Sequence, residues 1–230
     1  TIPPGTNLND VYVRVDGPHS CYKLRADGTT DGSAHWSKGG QDMSQYCVKF
    51  ADLPHHGNTV TLYIPPTPAG RIYFSVGKPI QWAAPSRANS GDPDNSTQYT
   101  MMEFTNNGVG RDMNLDESAV TGFSSPSIST QCYQNGEKFG TPMGTTENPD
   151  VLIQKVQNYI NSHVTNPAAR AVWDKMFSTV GGHKILTAPK MLGGTFGPYF
   201  QPYIQKVLVT YIKAHPLFFD INSTAFQMKV

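Results

Sequence analysis

Short strand-like runs, separated by turn-forming residues, constrain the fold of this chain more than any other feature. Turn formers stand between the runs at places where a tight turn needs a positive or fixed φ: Gly17, Asp27-Gly28, Gly39-Gly40, Gly57 and Pro65-Pro66. The runs are VYVRV at 11–15, YCVKF at 46–50, TVTLYI at 59–64, RIYFSV at 71–76 and, after a polar loop, YTMMEFT at 99–105. This alternation predicts an antiparallel β-sandwich or β-barrel.

The second half of the chain carries helix signals instead. Asn148-Pro149-Asp150 combines an Asn cap, a proline in the first turn and an acidic residue, and apolar residues at helical spacing extend to about His163. Asn166-Pro167 repeats the signal and predicts a second helix that ends at Gly181-Gly182. Apolar residues recur at helical spacing over 198–215 and predict a third helix.

Together these patterns predict a mainly β protein with an α-helical region. We place a β-sandwich or barrel domain over 1–145 and a helix-rich region over 146–230, packed beside it and forming a helical or mixed α/β subdomain. The chain has 230 residues, which is long enough to bury a substantial core.

Charge and composition limit the partners. Lys and Arg number 18 against 17 Asp and Glu, so the chain lacks the basic excess that nucleic acids or anionic membranes attract. Only 15% of residues are charged, while 21 Gly and 18 Pro are present, a composition typical of extracellular β proteins. Asn95-Ser96-Thr97 and Asn222-Ser223-Thr224 are acceptor sequences for N-glycosylation. We expect a secreted monomer that binds no nucleic acid and no membrane.

The three cysteines suggest a structural use. They have neither CxxC nor Cys/His spacing, so we predict no metal site and no cofactor. A structural disulfide is expected, although the sequence does not determine the pairing; Cys21 and Cys47 flank a Gly-rich stretch and could close one loop, which would stabilise the fold by roughly 3 kcal/mol. Cys132 would then be unpaired, or paired with a cysteine outside this chain.

Two segments resemble a pair of related families. RIYFSVGKPI at 71–80, and MMEFTNN through NLDESAVTGFSSP over 101–126, resemble glycoside hydrolase family 64, whose members are laminaripentaose-producing β-1,3-glucanases. The second segment also resembles the thaumatin-like proteins. The resemblance implies a thaumatin-like β-barrel beside a mixed α/β domain, with a wide cleft between them that holds β-1,3-glucan. In both families an acidic residue in an E-F-T-x-N strand faces acidic residues in a D-x-S-x-V-D-G-F segment across that cleft.

The resemblance identifies two catalytic candidates. Glu103 matches the acidic residue of the strand, and apolar neighbours such as Met102 would favour its protonated form, as a general acid requires. Thr121 stands where family 64 enzymes are expected to carry the aspartate that serves as general base. The base would then be Asp116, with Asp112 and Glu117 as poorer candidates.

Other residues could contact the sugar. Thr105 and Asn107 could hydrogen-bond to hydroxyl groups, Thr121 would lie beside them, and the Trp82 ring offers a flat apolar surface. Arg71 is expected to support the fold through a carboxylate partner. We therefore predict an endo-acting hydrolase of β-1,3-glucan.

Four alternatives stay open at this point. Glu103 could be an ordinary solvent-facing strand carboxylate, and Asp116 could be part of an Asx turn. The protein could be a non-catalytic β-1,3-glucan-binding or antifungal thaumatin-like module that lost hydrolysis with the aspartate at Thr121. It could also be a structural or defence protein with a vestigial cleft.

Overall fold

Antiparallel strands dominate the computed structural model, which describes residues 1–37, 39–86, 91–108, 113–196, 201–202, 205–206, 217–221 and 224–228. Two α-helices lie wholly within the described residues: α1 (Pro149–His163) and α2 (Pro167–Trp173). The strands are β1 (Val11–Gly17), β2 (Ser20–Leu24), β3 (Thr30–His35), β4 (Val48–Lys49), β5 (His55–His56), β6 (Thr59–Val60), β7 (Thr67–Val76), β8 (Gln98–Asn106), β9 (Met113–Ser118), β10 (Gly122–Phe123), β11 (Ser129–Gln134), β12 (Glu137–Gly144), β13 (Phe177–Val180), β14 (His183–Thr187), β15 (Leu217–Ile221) and β16 (Thr224–Met228).

One sheet organises the first half. Its strands follow the order β3-β2-β1-β7-β8-β9, and β4 also pairs with β1. Because side chains alternate along a strand, each strand sends every second residue to the same face. The main core lies on one face and contains Val11, Val13, Val15, Ile72, Phe74, Met102 and Phe104, packed against Ile2, Phe50, Leu53 and Ile128.

The other face of the sheet is only partly covered. Residues 80–83, which we call the strap, cover part of it, and Ile80 packs there with Tyr73, Tyr99 and Met101. Arg14 donates to the carbonyls of Ile80 at 3.0 Å and Trp82 at 2.8 Å. The Gln81 and Trp82 amides donate in turn to the Asp94 carboxylate, at 3.0 and 2.8 Å. Two charged side chains thus fix the carbonyls and the amides of one backbone segment.

The helix signals are confirmed at their starts. The Asn148 side chain accepts hydrogen bonds from the amides of Asp150 and Val151, and α1 extends to His163 as predicted. The Asn166 side chain accepts from the Ala169 amide at the start of α2.

The end of the second helix was predicted wrongly. Helix α2 ends at Trp173, and β13 and β14 follow as a hairpin whose turn is Gly181-Gly182. Both glycines have positive φ, at 60° and 83°. A two-residue hairpin turn needs that conformation, so the glycine pair closes a hairpin here and caps no helix. The third predicted helix falls mainly outside the described residues, although 201–202 and 205–206 are helical.

The mainly β prediction with a helical region is confirmed. Residues 146–230 combine the two helices with the β13–β14 and β15–β16 hairpins, and the domain boundary at 145 stays a prediction. Within the described ranges, no helix is long and apolar enough to cross a membrane.

The predicted disulfide is absent, because Cys21, Cys47 and Cys132 are all free thiols. Cys21 packs with Met43 and Ala83, whereas the Cys47 thiol lies 3.5 Å from the Ile80 carbonyl. The two sulfurs therefore turn towards different neighbours. Burial raises the pKa of both thiols, that of Cys47 to about 11, so they are protonated and unreactive near neutral pH.

Candidate active site

A groove of about 380 Å³ lies where the strap leaves the second face of the sheet open. Its floor contains Asp16, Arg71, Glu103 and Asp116, one from each of the neighbouring strands β1, β7, β8 and β9. The strand registers place these four residues directly opposite one another in a single row. Four ionisable side chains therefore share one face, although their neighbours along each strand point to the main core.

Glu103 is the central carboxylate of this row. Its Oε1 accepts a hydrogen bond from Arg71 Nε at 3.0 Å, and the two side chains are 33% and 46% exposed. The expectation that Arg71 has a carboxylate partner is confirmed. Burial opposes the charge of Arg71, but nearby Tyr73 and Glu103 outweigh it and raise the pKa of Arg71. Met102, expected to favour the protonated form of Glu103, instead lies in the main core on the opposite face.

Asp116 is exposed and stands opposite Glu103 across the β8–β9 pair. Residues that face each other in this way have Cβ atoms about 4.5–5.5 Å apart. Two like charges at that distance repel, and the Arg71 guanidinium on the other side of Glu103 offsets part of this repulsion. Glu103 is therefore not an isolated solvent-facing carboxylate, because Arg71 lies on one side of it and Asp116 on the other.

A buried ion pair supports the row from below. Arg14 donates from Nε and Nη2 to the two carboxylate oxygens of Asp16, both at 2.9 Å, and its guanidinium lies over the Tyr73 ring. Burial opposes the charge of Arg14, but the Asp16 carboxylate outweighs it and raises the pKa of Arg14. Asp16 is therefore held in place, with its carboxylate at the floor of the groove.

The structure brings some of the predicted sugar-contacting residues to the groove but not others. Thr105 lines it, and its hydroxyl donates to the Pro68 carbonyl at 2.9 Å. Asn107 is exposed beyond the end of β8, outside the groove lining. The Trp82 ring lies against Gly40 and is not part of the groove lining.

Neither Thr121 nor Glu117 belongs to the groove lining that contains Glu103. Thr121 is buried, and its backbone carbonyl accepts a hydrogen bond from the Ala188 amide. Glu117 pairs with Met102 and faces the core side of β9. Burial raises its pKa to about 7. Asp112 lies outside the described residues.

Sequence reasoning missed several residues of the groove, among them Asp16, His19 and Asn114. Asp16 had a usable signal, because Arg14 and Asp16 interrupt an otherwise apolar strand at every second position. His19 had none, since it lies in a turn. No group of three or more His, Cys, Asp or Glu side chains that could hold a metal ion occurs among the described residues.

Comparisons with known proteins agree with this fold. The family model for β-1,3-glucanases of glycoside hydrolase family 64 matches residues 4–230. A laminaripentaose-producing β-1,3-glucanase in complex with laminaritetraose has a TM-score of 0.67 at 19% identity, covering 99% of this chain and 63% of the other. A family 64 β-1,3-glucanase domain from Clostridium beijerinckii has a TM-score of 0.59 at 18% identity, covering 97% and 62%.

A third structure has the same fold. The family 64 laminaripentaose-producing β-1,3-glucanase from Paenibacillus barengoltzii has a TM-score of 0.60 at 19% identity, covering 87% of this chain and 51% of the other. The chain thus spans between half and two thirds of the length of these structures. No curated protein matches it. Because the family model extends over nearly the whole sequence, the chain belongs to glycoside hydrolase family 64, the β-1,3-glucanase family.

Proposed function

We propose that this chain carries the groove of an endo-acting β-1,3-glucan hydrolase in which Glu103 is the general acid and Asp116 the general base. The observation that supports it is the direct pairing of Glu103 with Asp116 across β8 and β9, inside the groove. Glycoside hydrolysis needs two carboxyl groups on opposite sides of the scissile bond. Family membership supplies the substrate class, β-1,3-glucan.

The proposed reaction moves two protons. Glu103 gives its proton to the glycosidic oxygen as the bond to the anomeric carbon breaks. Asp116 takes a proton from the water that attacks this carbon. Water activation needs carboxyl groups roughly 6.5–9.5 Å apart, which divergent Glu and Asp side chains can reach from directly paired Cα positions.

Arg71 imposes a condition on this mechanism. Its Nε donates to Glu103 Oε1 at 3.0 Å in the empty groove, whereas a general acid must present its carboxyl group to the glycosidic oxygen. Substrate that occupies the groove must therefore separate Glu103 from Arg71 before bond cleavage.

Release of oligosaccharides from laminarin and from insoluble β-1,3-glucan tests the proposal. Glu103→Gln and Asp116→Asn should each lower release by at least about 100-fold, because each removes a proton transfer. Glu117→Gln is the matched control: Glu117 neighbours Asp116 in sequence but faces the core side, so release should stay near the unsubstituted level. Equal losses for Asp116→Asn and Glu117→Gln would contradict the assignment of the base.

A non-catalytic glucan-binding module is the second candidate, and the Arg71–Glu103 ion pair favours it. Thr121 in place of the expected aspartate points the same way. Such a module would be retained on insoluble β-1,3-glucan, would release no sugar, and would lose no activity in Glu103→Gln. The proposal also includes secretion, a monomeric state and a thaumatin-like barrel beside a second domain; the glycosylation sequons and the composition support secretion.

A further inference from the structure

The groove has an aromatic end that the proposed chemistry does not use. His19 and Trp36 both line it, at the side away from Asp116. Their rings meet edge to face, with centroids 5.1 Å apart and planes at 63°. The Trp36 amide donates to the His19 carbonyl at 2.9 Å, which ties the two residues together through the backbone.

Trp36 is held mainly by apolar packing. Its ring packs against a small cluster of Cys21, Met43 and Ala83, next to the strap. The indole Nε1 has no hydrogen-bond partner among the described residues, although Trp N–H groups usually find one when buried. The Trp36 ring is therefore half-buried against apolar side chains, and no hydrogen bond from its Nε1 to the described residues fixes its orientation.

His19 occupies a backbone position that normally favours glycine. It is the second residue of the two-residue turn between β1 and β2, and its φ is 57°. Glycine adopts this conformation at lower cost than histidine. The His19 ring is exposed, so the main core does not account for a large side chain at this position. Strained residues of this kind cluster at ligand-binding sites.

From these observations we propose that His19 and Trp36 form a sugar-binding subsite for a glucosyl unit distant from the cleaved bond, an inference that rests on the proposed function. Aromatic rings offer flat apolar surfaces to the C–H face of a pyranose, and the edge-to-face pair forms an L-shaped wall that one sugar ring can enter.

The sheet geometry gives the position of this subsite. His19 lies two strands from Glu103 and about three residues further along, which is roughly 14 Å at the usual strand spacing and rise. That distance corresponds to two or three glucosyl units. The subsite should therefore contribute to the binding of longer oligosaccharides and not of disaccharides.

The test uses Glu103→Gln protein, in which bound sugar is not turned over, and titration calorimetry with β-1,3-linked gluco-oligosaccharides of two to six units. Adding His19→Gly removes one ring and relieves the strained φ, so the protein should remain at least as stable. We expect its Kd for oligosaccharides of four or more units to rise about 3- to 10-fold, with little change for the disaccharide.

Asn135→Gly is the matched control, because Asn135 also has a positive φ of 52° but lies in the β11–β12 turn outside the groove lining. Its Kd values should not change. Trp36→Phe should retain more affinity than Trp36→Ala, and thermal melts of every variant show which ones are folded.

Two results would overturn the subsite. In the first, the His19→Gly protein is folded and its Kd is unchanged for oligosaccharides of every length, while the unsubstituted protein cleaves laminarin. The subsite is then wrong, and the proposed function stands. The other is no binding at any length together with no cleavage by the unsubstituted protein, in which case both fail.

Discussion

Replacing Asp16 with alanine tests how strongly the buried ion pair stabilises the sheet beneath the groove. Arg14 is 0% exposed and donates four hydrogen bonds, two of them to the Asp16 carboxylate. Asp16→Ala removes both of these bonds and the counter-charge, while the strap carbonyls still hold the guanidinium. Leaving a charge buried without its partner costs about 3–5 kcal/mol. At a urea m-value of about 2 kcal/mol per M, the unfolding midpoint should fall by roughly 2 M.

Asp31→Ala provides the matched control in an equilibrium urea titration. The Arg25–Asp31 pair has a shorter N–O distance, 2.7 Å against 2.9 Å, but its side chains are 53% and 55% exposed. Solvent screens an exposed pair, so Asp31→Ala should leave the midpoint unchanged. If both variants shifted the midpoint equally, burial would not be the reason for the stability of the Arg14–Asp16 pair.

A double variant separates the cost of the unpaired charge from the value of the pair. Arg14→Met combined with Asp16→Leu removes both charges and leaves apolar groups of similar length. This protein should be more stable than Asp16→Ala alone, because no uncompensated charge stays buried. A double variant that loses the sum of the two single losses would mean that the residues are not coupled.

Three further predictions concern stability alone. Since burial raises the pKa of Glu117 from 4.5 to about 7, its protonated form stabilises the fold fully below pH 4.5, and this stabilisation is lost as the pH rises through 7. Because Glu117 is partly exposed, we expect the free energy of unfolding to fall by about 1 kcal/mol over this pH range. Glu117→Gln should make the urea midpoint less dependent on pH in that range. An unchanged pH dependence would refute this prediction. A Cβ on Gly70 would lie 2.1 Å from the Phe104 ring, so Gly70→Ala should cost about 1–3 kcal/mol, and an unshifted thermal midpoint would contradict this overpacking. Asn148→Ala removes the cap of α1 and should cost about 1 kcal/mol in a urea titration, unless another group replaces the cap.

Local patterns predicted the elements that depend on local chemistry. β1 and β7 follow from apolar and β-branched runs, and α1 follows from its cap and its spacing. The β2–β3 pair was missed, because SCYKL and TDGSAH contain few apolar residues and form strands by pairing at the sheet edge. Gly181-Gly182 was misread, since two glycines close a hairpin as well as they end a helix, and the choice depends on whether β14 pairs with β13.

Only the site residues that lie in a segment resembling the family could be predicted from the sequence. Glu103 and Asp116 came from the family resemblance, and the structure pairs them. Asn107, Trp82 and Thr121 lie in loops or beside short strands, whose paths are determined by tertiary contacts such as the packing of Trp82 on Gly40. Asp16 becomes part of the site only when β1 pairs with β7 in the observed register.

Because side chains alternate between the two faces along β8, the site should tolerate point substitutions better than insertions of a single codon. Met102 and Glu103 are adjacent in sequence, but Met102 belongs to the core and Glu103 to the groove. A substitution at either position alters one environment, whereas inserting a single codon between Tyr99 and Glu103 would move every later side chain of the strand to the opposite face. It would carry a carboxylate into the core and an aromatic ring into the groove. Lineages of this sequence should therefore diversify the groove by point substitution, and length variation should be confined to the turns between strands.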